Sequence, residues 1–98
     1  MAKENVETTF TGVGQTTDWI SANFQNQDGF LNVGLDIDSD WNGMVLLEKR
    51  YDSESKILPV DYLINEIQFS ITDKVHGTQY RLRCIYHESG QAEGEIYR

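Results

Sequence analysis

Apolar and polar residues alternate with a period of two along most of this chain. That is the spacing at which successive side chains of a β-strand point to opposite faces. The cleanest run places Leu31, Val33, Leu35 and Ile37 on one face and Asn32, Gly34, Asp36 and Asp38 on the other. Such a strand is buried on one side and wet on the other. Val6, Thr8 and Phe10 alternate with Glu7, Thr9 and Thr11 in a first strand that stops at Gly12 and Gly14. Thr16, Asp18 and Ile20 alternate with Thr17, Trp19 and Ser21 in a more polar, edge-like second strand. Residues 23–29 read as a polar loop, and residues 39–43 as a turn, because Asp40, Asn42 and Gly43 tolerate tight or left-handed backbone.

Residues 44–51 form the next strand. Either Met44, Leu46, Glu48 and Arg50 or Val45, Leu47, Lys49 and Tyr51 face the core; the second set is the more apolar, with the Lys49 stem snorkelling at the rim. A Ser-rich, charged hairpin loop follows at 52–56, and Pro59 marks 57–62 as an edge strand or a bulge. Ile64, Ile67, Phe69 and Ile71 continue the β pattern with a phase slip near Asn65 and Glu66; a turn of helix over 62–69 is the competing reading. After a turn at 73–77, Tyr80, Leu82, Cys84 and Tyr86 share one face, and Arg81, Arg83 and Ile85 the other. Residues 88–91 read as a hairpin turn whose return strand, 92–97, closes the sheet. About seven to eight short strands at this spacing predict an all-β fold, a small antiparallel β-sandwich of Ig-like or jelly-roll-like kind. The 98 residues make one domain, in which 1–12 are a candidate extended N-terminal arm able to order on a partner.

Charge narrows the partners. Sixteen acidic residues against eight basic ones leave a formal net charge of −8. Phosphate binding needs clustered Lys and Arg, so nucleic acid is disfavoured, as are anionic membranes. A basic protein surface or a cation suits the chain better. The single cysteine, Cys84, allows no internal disulfide and points to a reducing cytoplasm. The N-terminal residues open no apolar signal region, and no run is long enough to span a membrane as a helix.

Candidate chemistry is sparse. Asp36, Asp38, Asp40, Asn42 and Gly43 place oxygen ligands two residues apart on a glycine-ended turn, as a calcium loop requires. The bidentate glutamate, however, should fall at Lys49, and Glu48 is one residue early, on the opposite face of a strand. The plainer reading is a solvated turn. Cys84 and His87 have the spacing of a nucleophile and base, but Cys84 lies among apolar neighbours and reads as a buried hydrophobe. His76 and His87 both fall in expected turns, and one Cys with two His falls short of a zinc set. No motif calls for a cofactor. Trp41 either caps the core or stands at a contact surface; Trp19, on a polar strand, reads as the more exposed. Exposed aromatics of this kind stack on sugars or anchor protein interfaces. Arg81 and Arg83 are the concentrated positive charge, expected either to pair across strands with Glu93 or Glu95 or to meet a partner.

The residues Leu35-x-Ile37, then Trp41-x-Gly43-x-Val45-x-Leu47-Glu48-Lys49-x-Tyr51-Asp52, then Pro59-Val60-Asp61, Tyr80-Arg81-Leu82-Arg83-Cys84 and Ser89-Gly90 resemble small virion structural proteins of tailed bacteriophages. The likeness covers roughly residues 30–97. It departs at Asp52-Ser53-Glu54-Ser55, where that family tends to have a glycine-rich turn followed by Trp, whereas Lys56 and Ile57 follow here. The family supplies no active-site residues. The resemblance implies a non-enzymatic role in the virion, assembled in the host cytoplasm. The preferred form is a capsid decoration (cement) protein bound to the major capsid protein, to other virion proteins and to further copies of itself. A tail- or connector-associated subunit and a small carbohydrate-binding module are the alternatives. Phe10, Trp19, Trp41, Arg81 and Arg83 are the candidate partner contacts.

Overall fold

In the computed structural model, which describes residues 5–22, 30–73 and 77–98, the alternation resolves into eight strands. They are β1 (Asn5–Phe10), β2 (Ile20–Ser21), β3 (Phe30–Ile37), β4 (Asn42–Arg50), β5 (Leu58–Leu63), β6 (Ile67–Thr72), β7 (Gln79–Ser89) and β8 (Ala92–Tyr97). The loop expected at 23–29 and the residue His76 lie outside the described residues. The strands form two four-stranded antiparallel sheets, sheet A in the order β1-β8-β3-β6 and sheet B in the order β2-β7-β4-β5. This is the expected all-β sandwich.

The core is made of the inward half of each alternation. Leu31, Val33 and Leu35 of β3 are buried against Val45 and Leu47 of β4, with Leu82 and Cys84 of β7 and Ile96 of β8 in the same cluster. Small residues on β8 make room for large ones. A Cβ on Gly94 would stand 2.6 Å from the Phe10 ring and 2.8 Å from Leu82. Phe10 is therefore wholly buried, and its expected role as a partner contact is replaced by one in the core. Residues 5–10, read from sequence as part of an arm, are an edge strand of sheet A, paired with β8 from Asn5↔Tyr97 to Phe10↔Ala92.

Most connections pass from one sheet to the other; among the described strands only β4 and β5 are both consecutive and paired. The turn at 88–91 is therefore not the hairpin that was expected. Gly90, at φ +72°, carries the chain from sheet B into sheet A, where β8 pairs with β1 and β3 rather than with β7. The phase slip near Asn65 has the same cause: β5 ends in sheet B and β6 begins in sheet A. Residues 62–69 contain no helical turn. Pro59 lies on the edge strand of sheet B, beside a register shift opposite Leu47 and Glu48, so it interrupts no central ladder.

Two further departures come from irregular pairing. β7 bulges opposite Met44 and Val45, and Tyr86 is consequently 48% exposed instead of continuing the buried face of Tyr80, Leu82 and Cys84. The second strand is broken. Thr16 bridges to Arg83 and Ile20 pairs with Tyr80, while between them Thr17 Oγ1 accepts the N–H of Leu82 at 3.1 Å. Trp19 sits in that gap.

Candidate functional site

The outer face of sheet B carries the densest set of fixed functional side chains. On β4 the outward alternation places Leu46, Glu48 and Arg50 in a row. Register sets Leu46 beside Arg83, Glu48 beside Arg81 and Arg50 beside Gln79 of β7. Burial of Val45 and Leu47 was expected; that of outward-facing Leu46 and Glu48 was not. Arg81 and Arg83 of β7 stand beside them on this face.

Glu48 is 3% exposed and binds both arginines of β7. Its Oε1 accepts from Arg81 Nε at 3.0 Å and from Arg83 Nε at 3.1 Å, and its Oε2 lies 3.1 Å from Arg83 Nη2. The Arg83 contact is thus a two-point fork, the stronger form of a charge-assisted hydrogen bond. The expected pairing of Arg81 and Arg83 with Glu93 or Glu95 is corrected accordingly, because β8 belongs to the other sheet. Trp19 completes the group. The Arg50 guanidinium lies 4.2 Å and that of Arg81 4.5 Å from its ring centroid. Arg50 Nε donates to Gln79 Oε1 at 2.6 Å. Three of the eight basic residues therefore surround one buried carboxylate and one indole. Cationic and aromatic groups are held here in a fixed arrangement on an acidic molecule.

The outer face of sheet A has the opposite sign. Glu7 lies across from Glu95 and Asp36 across from Glu93. With Gln68 and Gly34 they line a shallow trough of about 360 Å³.

Several of the remaining sequence candidates have structural partners. Asp38 Oδ1 accepts the N–H of Asp40 at 3.0 Å and Oδ2 that of Gln91 at 3.1 Å. Ser89 Oγ donates to the Asp40 carbonyl at 2.7 Å, and Asn42 Nδ2 to Glu88 Oε2 at 3.0 Å. The acidic turn thereby ties itself to the β7–β8 turn. Among the described residues no group of three or more His, Cys, Asp or Glu is placed to hold a metal ion. Trp41 packs against the core with its ring over Gly43 and 5.8 Å from the His87 ring. His87 lies within β7, not in a turn, and its Nε2 donates to the Gly90 carbonyl at 2.8 Å. Cys84 is wholly buried, its Sγ donates to the Tyr86 carbonyl at 3.3 Å, and burial pushes the thiol pKa up. That opposes the thiolate a nucleophile needs.

Comparison with known protein families, curated proteins and solved structures found no match to this chain. Sequence reasoning singled out Trp19, Arg81 and Arg83, and the structure brings them together, while Phe10 and Trp41 lie elsewhere. It missed Glu48 and Arg50. Their outward alternation with Leu46 was visible, but the strand that would lie beside them was not.

Proposed function

We propose that this chain is a non-enzymatic structural protein of a tailed-phage virion, a capsid decoration subunit that binds the major capsid protein through the outer face of sheet B. The observation that carries the reading is the linked set in which Arg81 and Arg83 bind buried Glu48 while Arg81 and Arg50 lie over the Trp19 ring. Trp and Arg dominate the energetics of protein interfaces, and here both are ordered in advance, which lowers the entropy lost on docking. The resemblance of residues 30–97 to small phage virion proteins supplies the setting. A carbohydrate module is less well supported, because a guanidinium already lies over the Trp19 ring that a sugar would need.

Co-sedimentation of the purified protein with empty expanded heads tests the reading. Binding is expected, weakened by Trp19→Ala and by Arg50→Ala in variants whose circular dichroism is unchanged. Binding to tail tubes alone would move the protein to the tail. Binding to neither, or heads that retain the Trp19→Ala variant fully, would overturn the assignment.

A further inference from the structure

Among the described residues the two sheets have four edge strands, and three are blunted. β5 carries Pro59, a register shift and Asp61; β2 is two residues long and its ladder is broken; β1 has Glu7 at its centre. These are the devices by which proteins keep sheet edges from pairing with other chains. β6 has none of them. Ile67–Thr72 reads Ile-Gln-Phe-Ser-Ile-Thr, with no charge, no proline and an unbroken register against β3. Among the described residues no strand pairs with its outer side.

The core is also unfinished there. At the opposite edge of sheet A, the inward residues Val6 and Phe10 of β1 are 5% and 0% exposed. On β6 the inward Phe69 and Ile71 are only partly buried, and Ile67 is 40% exposed. Ile64, in the link that precedes the strand, is 51% exposed. An unpaired backbone edge and a strip of uncovered apolar surface therefore coincide.

We propose that β6 is the self-association edge of this protein: two copies pair β6 with β6 antiparallel about a two-fold axis, joining their four-stranded sheets A into one continuous sheet. The occupant follows from charge and pattern. Two molecules of net charge −8 repel, and an uncharged strand lets them meet without apposing carboxylates. The strand is also self-complementary. Antiparallel pairing centred near Phe69 or Ser70 sets Ile and Phe opposite Ile and Phe on the inner face, and Gln, Ser and Thr opposite one another on the outer face. A two-fold contact closes on itself, whereas pairing β6 with β1 of the next copy would propagate into a filament. This inference does not rest on the virion reading, and its test needs no viral component.

Sedimentation equilibrium of the full chain over a concentration series, at low and at high salt, is the experiment. A monomer–dimer equilibrium is expected, and high salt should tighten it by screening the repulsion. The double substitution Gln68→Lys/Ser70→Lys, on the outer face of β6, should weaken the dimer about tenfold or more by setting like charges opposite each other. The charge-matched Asn5→Lys/Thr9→Lys on β1 should not weaken it. Hydrogen exchange of the unsubstituted protein supplies a check independent of any variant: β6 amides should gain protection as concentration rises, and β1 amides should not. A monomer under all conditions would overturn the proposal. So would a mass that grows past the dimer, a dimer that the β6 lysines leave intact, or β6 amides indifferent to concentration. Association that weakens with salt would place the contact between the basic face of sheet B and the acidic face of sheet A instead.

Discussion

Glu48 shows how much one side chain organises. Its carboxylate is removed from water and satisfied by two guanidiniums, so deleting it leaves Arg81 and Arg83 without their shared acceptor. Glu48→Ala should cost about 2–3 kcal/mol in urea unfolding, below the range for fully buried pairs because both arginines retain solvent contact. Glu48→Gln keeps one acceptor oxygen and should cost less. Tyr80 gives a pH-dependent counterpart. Its hydroxyl donates to Asp73 Oδ2 at 2.6 Å, and burial together with that carboxylate pushes the phenol pKa well above its ordinary value. The folded state therefore holds a proton that the unfolded chain releases near the normal tyrosine pKa. The contribution is complete below about pH 10 and is lost progressively above it. Alkaline absorbance titration should find Tyr80 ionising only as the protein unfolds, and Tyr80→Phe should flatten the loss of stability at high pH.

At the scale of the element, β8 is the strand on which both sheet A neighbours depend. Its inward face reads Ala92, Gly94, Ile96, and the missing side chain at Gly94 is the space that Phe10 and Leu82 fill. Gly94→Ala should destabilise the protein by about 1–3 kcal/mol through overpacking, measured as a lowered denaturation midpoint with an unchanged slope. The outward face of the same strand sets Glu93 opposite Asp36 and Glu95 opposite Glu7. Like charges in those positions destabilise, so Glu93→Lys should raise stability by about 0.5 kcal/mol, readable in the same experiment. The alternation of β1 and β3 was plain in the sequence, as was the edge or bulge character conferred by Pro59. The neighbours of each strand were not. The turn at residues 88–91 looks like a hairpin because short polar, glycine-containing links serve hairpins and sheet-to-sheet crossings alike. Tyr86 was assigned to the wrong face because a bulge shifts the phase of a strand without changing its composition.

For the molecule as a whole, topology and charge set the behaviour. Because most connections cross between the sheets, pairings such as β1 with β8 join residues nearly a full chain length apart. Closing such loops precedes any gain from the contacts, so refolding after dilution from urea should take milliseconds to seconds, not microseconds. Stopped-flow tryptophan fluorescence would report it through Trp19 and Trp41.

The strands, the half-buried faces and the acidic balance were determined by the sequence alone, because β periodicity and formal charge are local properties that each residue carries with it. Which strands lie side by side was decided only by tertiary structure. That choice turned Arg81 and Arg83 towards Glu48, took Phe10 from a supposed arm into the core, and left β6 as the open edge. The reason is that sheet pairing depends on how two hydrophobic faces can be closed together, and this is a property of the whole chain that no single segment encodes.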